Sequence, residues 1–260
     1  MRRRLVFGAV VIAAVITGRD VRISGAPSAF HPPVLQRFLT EEHATLVQYR
    51  ALRHIEARND RMGASAWMDV WTEADESGFR YSVIGQGGSS FVRSHVFDNA
   101  LETERDMWQR GAAARASIST VNYEFERCEE LDGIAADLAA HPELSSAACI
   151  GLKPRRKDVL LVDGSIFLRT DDSDLLGISG SLSKSPSFWT RRVDISRRYA
   201  RVAGVRVPVA LESVASLRFA GNSTLTMTYE YESVNGQPVG NPQVVERREA
   251  ANRNSQLPAR

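Results

Sequence analysis

A chain of 260 residues, 43% hydrophobic and 25% charged, can bury a sizeable core and is too apolar for a disordered chain. Its 33 basic and 31 acidic side chains give a formal charge of +2; without Arg2, Arg3 and Arg4 that becomes −1. A near-neutral body speaks against nucleic-acid binding.

Met1-Arg2-Arg3-Arg4 precedes an apolar run from Leu5 to Ile16, the charged and hydrophobic portions of a secretory signal. The run is short for a bilayer span, which takes about 20 apolar residues. A signal over 1–18 cut after Gly18 and an uncleaved N-terminal anchor both stay open. Ser24-Gly25-Ala26 offers small residues for cleavage, but Pro27 would follow the cut. No Cys follows the run, which argues against a lipid-modified N-terminus. Residues 19–31 read as an extended lead-in to Pro32-Pro33, 32–236 as a single domain, and 237–260 as a polar, disordered tail.

From Val34 to about Ala57 the spacing predicts an amphipathic helix, with Leu35, Leu39, Leu46 and Tyr49 on one stripe. Ala66–Thr72 and Phe79–Val83 read as a hairpin. Gly85 to Ser90 should break the strand and supply a serine N-cap to a second helix, Phe91 to about Arg110. That helix lines up Phe97, Leu101 and Trp108, with Gly111 as its stop.

Beyond it the chain is β to its end, apart from an Ala-rich insert at Ile134–Ala140 that reads as a short helix. Val121, Tyr123 and Phe125 share one parity. Val159–Val162, Asp163-Gly164 and Ile166–Leu168 give the strongest local hairpin signal. Three long strands follow Leu175–Leu182, and the last, Leu225–Glu232, alternates apolar with Thr or Glu throughout. Gly221-Asn222 supplies a tight turn, and Asn235-Gly236 ends the sheet. Strand runs with few helices imply an α+β fold. About ten antiparallel strands with one apolar face should form a strongly curved sheet, an unclosed β-barrel. The two helices are the segments able to cover its concave apolar face.

The two thiols, Cys128 and Cys149, suggest a disulfide in an exported chain; two buried free thiols are the other reading. Catalytic motifs fail on inspection. Ser181-Leu182-Ser183-Lys184 has the Ser-x-x-Lys spacing of serine β-lactamases, but Ser185-Pro186 follows at once and the companion motifs are missing. Gly85–Ser90 lacks the lysine of a phosphate-binding loop and the third glycine of a dinucleotide site. His31, His43, His54, His95 and His141 are scattered without metal-ligand spacing, and Asp171-Asp172-Ser173-Asp174 lacks the Gly and distal Glu of a calcium loop. No cofactor and no metal is expected.

Some of the pattern is familiar. Leu152-Lys153-Pro154 before Asp158–Val162, Asp163-Gly164, Tyr199–Pro208 leading into Val209, Ser185–Trp189, and the closing Met227–Tyr231 carry a resemblance at pattern level over residues 32–234. The chain resembles the periplasmic LolA/LolB-type lipoprotein carriers and the sensor domain of the RseB/MucB stress regulators. The resemblance implies an unclosed barrel with helices lidding an apolar cavity for acyl chains, and no catalytic residues. Lacking a Cys after its signal, the chain departs from the lipid-anchored members.

The leading expectation is therefore a non-enzymatic, periplasmic or otherwise exported carrier or sensor of lipid or acylated protein, with transient membrane contact. Tyr81, Val83, Phe97, Leu101, Trp189, Leu217, Phe219, Met227 and Tyr229 are the cavity candidates. Arg191 and Arg197, on the parity of Trp189 and Tyr199, are the candidates for an anionic headgroup. Two rivals stand beside it. One is an envelope structural or signalling domain that holds a protein partner, which an exposed aromatic patch over a filled interior would favour. The other is an exported hydrolase whose residues converge only in the fold.

Overall fold

The computed structural model of the chain describes residues 31–109, 113–128, 144 and 146–240. The signal and lead-in over 1–30, the Gly111 stop, the Ala-rich insert and the tail from 241 onward lie outside these residues.

The element order is α1 (Pro33–Thr40), β1 (Tyr49–Asn59), β2 (Ala64–Asp75) and β3 (Gly78–Gly88). Next come α2 (Ser90–Val92), a π-helical turn (Arg93–Phe97), α3 (Asp98–Gln109) and α4 (Ala113–Ala116). The rest is strand: β4 (Tyr123–Arg127), β5 (Ala148–Pro154), β6 (Val162–Leu168), β7 (Leu175–Leu182), β8 (Thr190–Val202), β9 (Val205–Leu217), β10 (Gly221–Val234) and β11 (Gln237–Pro238). Together they make an α+β fold on one 11-stranded sheet, ordered β3-β2-β1-β10-β9-β8-β7-β6-β5-β4, with β11 beside β10. Every pairing is antiparallel, and β3 and β4 are left as edges, so the sheet is open.

The first correction concerns the helix expected over Val34–Ala57. Only Pro33–Thr40 is helical; Tyr49–Asn59 is a strand lying between β2 and β10. Leu35 and Phe38 do fall on the buried face of α1. In β1 the inward positions are Tyr49, Ala51, Arg53, Ile55 and Ala57, all buried, which is period two rather than 3.6. A polar, charged inward residue, Arg53, hid that alternation, and pairing with a strand more than 160 residues away overrode the local spacing.

The Asp163-Gly164 hairpin is also absent. β6 runs straight through both residues, and Gly164 pairs with Gly180 of β7. A Cβ built on Gly164 would lie 2.2 Å from the Ser179 carbonyl oxygen, so glycine serves close strand approach here, not a turn. Likewise β3 continues through Gly85, Gly87 and Gly88. The Trp67 indole lies flat over Gly85 and Gly87, filling the space their side chains leave. The serine cap holds: the Ser89 side chain accepts from the Val92 amide.

The sheet buries one face in two apolar clusters. One joins β1, β2, β3, β9 and β10 to Val92, Phe97, Ala100 and Leu101 of the second helical segment. The other joins β4 to β8 to Leu35 and Phe38 of α1. Each half of the sheet thus has its own helical cover, with Arg206 over the Phe38 ring at 5.2 Å helping to seat α1. Asn235-Gly236 forms the expected turn, both residues at positive φ, but pairing continues past it into β11. The Asn235 side chain accepts from the Val47 and Gln48 amides and donates to the Thr45 carbonyl, tying down the approach to β1. Asn235→Ala is expected to cost about 2 kcal/mol in urea unfolding, from those bonds and the left-handed backbone. A loss below about 0.5 kcal/mol would show that the approach is held by other contacts.

Cys128, one residue past β4, is bonded to Cys149 of β5 with Cα atoms 5.7 Å apart. The register Arg127↔Ile150 brings the two cysteines opposite one another, so the bond staples edge strand β4 to its single neighbour.

Candidate functional site

Strand β8 positions the residues that matter. Val193, Ile195, Arg197 and Tyr199 alternate inward and are all buried. Across the sheet Arg197 pairs with Ile178 on one side and Leu211 on the other. Ile178 belongs to one apolar cluster and Leu211 to the other. The guanidinium therefore rises at the seam between the two halves, with apolar chains opposite it on both neighbouring strands.

Among the described residues three arginines on this side of the sheet are buried, and two of them have a carboxylate within ion-pair distance. Arg53 forms a fork with Glu104 of α3, at 2.5 and 2.8 Å, and also donates to the Tyr49 hydroxyl at 2.5 Å. Tyr49 in turn donates to Glu104 at 3.0 Å, and the Arg53 guanidinium lies 4.7 Å over the Tyr229 ring. Burial pushes the Glu104 carboxyl up, but Arg53 outweighs it and holds the group below its ordinary range. Arg206 pairs with Asp174 through Nε at 2.7 Å and Nη2 at 2.6 Å, and Arg201 reinforces the same carboxylate at 2.9 Å.

Arg197 is the exception. It is 3% exposed, and among the described residues no carboxylate stands within ion-pair distance of it. Its Nε and Nη2 atoms meet no acceptor at hydrogen-bonding geometry. The polar group beside the guanidinium is the buried Tyr199 hydroxyl, two residues on along the same face, a neutral partner that brings no negative charge. Burial works to lower the Arg197 pKa, but the adjacent Tyr199 hydroxyl, with Tyr229 and the more distant Glu104 carboxylate, outweighs it and raises the group above its ordinary value, so it stays cationic. Nε and Nη2 form one edge of the guanidinium fork, the edge that meets two oxygens of a carboxylate or phosphate.

The structure divides the expected cavity residues. Phe97, Leu101 and Met227 are fully buried in the cluster under α3, and Tyr229 is half-buried against it. Tyr81 packs at the cluster's rim, donating to Glu102 at 2.9 Å. Val83, on the edge strand, is 39% exposed, and Leu217 is half-buried at the far end of β9. Trp189 and Phe219 correct the parity reading: they are 38% and 71% exposed, outside the core. Arg191 is corrected with them. A bulge between Thr190 and Arg192 turns Thr190 inward and leaves Arg191 and Arg192 outside. Of the two headgroup candidates only Arg197 faces the interior.

The buried set of Arg53, Glu104 and Tyr49 is one that the sequence reading missed. Glu104 does occupy the line of Phe97, Leu101 and Trp108 at helical spacing, and Arg53 sits among Ala51 and Ile55 at strand spacing. A charged residue in each apolar stripe was the available signal.

What these features define is an open antiparallel sheet lidded by helices, with an unneutralised arginine at the centre of its covered face. No protein-family model, no curated protein and no solved structure matches the chain.

Proposed function

We propose that the protein is a non-enzymatic, exported binding module that holds an acidic amphiphile on the covered face of its sheet. Arg197 and Tyr199 meet a carboxylate or phosphate, and the acyl chain follows the seam between the two apolar clusters. The observation that carries this reading is a guanidinium, 3% exposed and flanked by Ile178 and Leu211, that has the neutral Tyr199 hydroxyl beside it and no carboxylate of the described residues within ion-pair distance. An isolated buried charge is costly, and a bound anion would remove that cost. An open sheet under helices is also the architecture that the resemblance to lipoprotein carriers implies. The Cys128–Cys149 bond is compatible with an oxidising, exported compartment, and no described helix is long and apolar enough to cross a membrane.

Native mass spectrometry of the chain purified without detergent from the organism that makes it tests the proposal. One acid-bearing acyl adduct is expected on the natural chain, and none on Arg197→Met. Adduct-free natural protein, or the same adduct on both chains, would overturn it. Met fills a similar volume without charge, so the variant is expected to fold at least as stably as the natural chain.

A further inference from the structure

The antiparallel order brings several turns to one end of the sheet: β1–β2 at 60–63, β9–β10 at 218–220, and the β7–β8 connection at 183–189. That end carries an exposed aromatic cluster. Phe188 and Trp189 meet edge-to-face at 5.5 Å, Trp189 and Phe219 at 5.8 Å, and the outer two rings are 72% and 71% exposed. Arg218 braces the cluster, stacking over Phe188 at 4.8 Å and donating to the Phe188 carbonyl at 2.7 Å. The β1–β2 turn adjoins it, since Asn59 donates to the Ala220 carbonyl, and it adds Met62, 50% exposed.

The same end is basic. Arg61, Lys184, Arg191 and Arg218 are exposed and have no acidic partner in ion-pair range among the described residues. The nearby acids are already paired, Asp60 with Arg58 at 3.0 Å and Asp194 with Arg192 at 2.6 Å. Arg155 and Lys157 extend the charge along the β5–β6 connection at this end, where Arg156 pairs with Asp158 at 3.5 Å.

We infer that this end docks on an anionic bilayer, with Phe188, Trp189 and Phe219 entering the headgroup boundary while the ring of arginine and lysine faces lipid phosphates. Exposed apolar rings on turns, encircled by unpaired cations, match the chemistry of that interface. Aromatic rings sit at headgroup depth, and basic side chains add attraction to anionic lipid. The inference goes beyond the interior ligand and does not depend on Arg197.

Vesicles of phosphatidylglycerol and phosphatidylcholine, with and without brominated acyl chains, test it. The apolar run Leu5–Ile16 has its own affinity for lipid, so the natural chain and its variants are compared in the same full-length form. Brominated anionic vesicles are expected to quench the natural chain, and Trp189→Phe should remove most of that quenching. Phe188→Ser/Phe219→Ser, which alters only exposed rings, should abolish Trp189 quenching and weaken vesicle affinity by about ten-fold or more where binding is reversible. Charge reversal at Arg61 and Arg191, which leaves the Arg218 brace in place, should reduce Trp189 quenching by anionic vesicles and leave that by neutral ones unchanged. Quenching that is equal in Trp189→Phe, or indifferent to lipid charge, would overturn the inference. So would a self-associating chain that becomes monomeric in Phe188→Ser/Phe219→Ser without any vesicle effect, which would make the patch a protein contact.

Discussion

Glu104→Ala is expected to destabilise the protein by about 3–5 kcal/mol, because it strands the Arg53 guanidinium in the core. Arg53 is 1% exposed and spends one fork on Glu104 and one bond on Tyr49, so water cannot replace the lost carboxylate. In a domain of this size the loss is a fall of about 10 °C in Tm. Two further variants separate charge from packing. Tyr49→Phe removes only the hydroxyl and should cost about 1 kcal/mol. Arg53→Met/Glu104→Leu removes both charges, and should recover most of the stability that Glu104→Ala loses. A double variant no better than the single would show that packing, not an unpaired charge, sets the cost.

The same pair fixes a pH dependence. The folded Glu104 pKa lies below its ordinary 4.5, as does that of Asp174 below 3.8. Their ionised forms therefore stabilise the fold fully above the ordinary carboxylate range. That contribution is lost as pH falls through the depressed folded values. Urea midpoints should drop steeply on acidification in the natural chain, and less steeply in Arg53→Met/Glu104→Leu.

Cys128→Ser/Cys149→Ser is expected to cost about 3 kcal/mol, the effect of opening a loop of this length on the unfolded chain. The bond spans 21 residues and fastens β4, a five-residue edge strand with β5 as its one partner. Because the damage is at an edge, it should be local. Hydrogen exchange is expected to quicken at Tyr123–Arg127 and to change little in β1 and β10, far across the sheet from β4. Uniform quickening would contradict the view that the bond serves the edge. Equal stability of reduced and oxidised protein would contradict its energetic role altogether.

The sequence spoke most clearly where one face is uniformly apolar. Leu225, Met227, Tyr229 and Tyr231 alternate without interruption, and β10 lies where they place it, with Leu225, Met227 and Tyr231 buried. It misled where a polar group faces inward. Arg53 broke the alternation of β1, and the apolar remainder of Val34–Ala57 fitted a helical stripe by coincidence. Dipeptide rules failed at Asp163-Gly164 because the glycine there relieves a contact with β7, a strand whose position no local pattern encodes. Arg197 was legible as a candidate through its parity with Tyr199. Arg191 and Trp189 were not separable from it, since a single bulged residue moves them to the outer face. That no carboxylate of the described residues stands within ion-pair distance of Arg197 depends on three strands brought together by the fold, and no spacing in the chain expresses it.

The most direct measurement is a paired titration by calorimetry, using a long-chain fatty acid and the alcohol of the same chain length. The natural chain should bind the acid about ten-fold or more tightly than the alcohol, a difference set by one charge-assisted fork. In Arg197→Met the two ligands should bind alike. Equal affinities in the natural chain, no binding of either ligand, or a preference for the acid that survives in Arg197→Met would contradict the assignment of Arg197 as the anion-holding group.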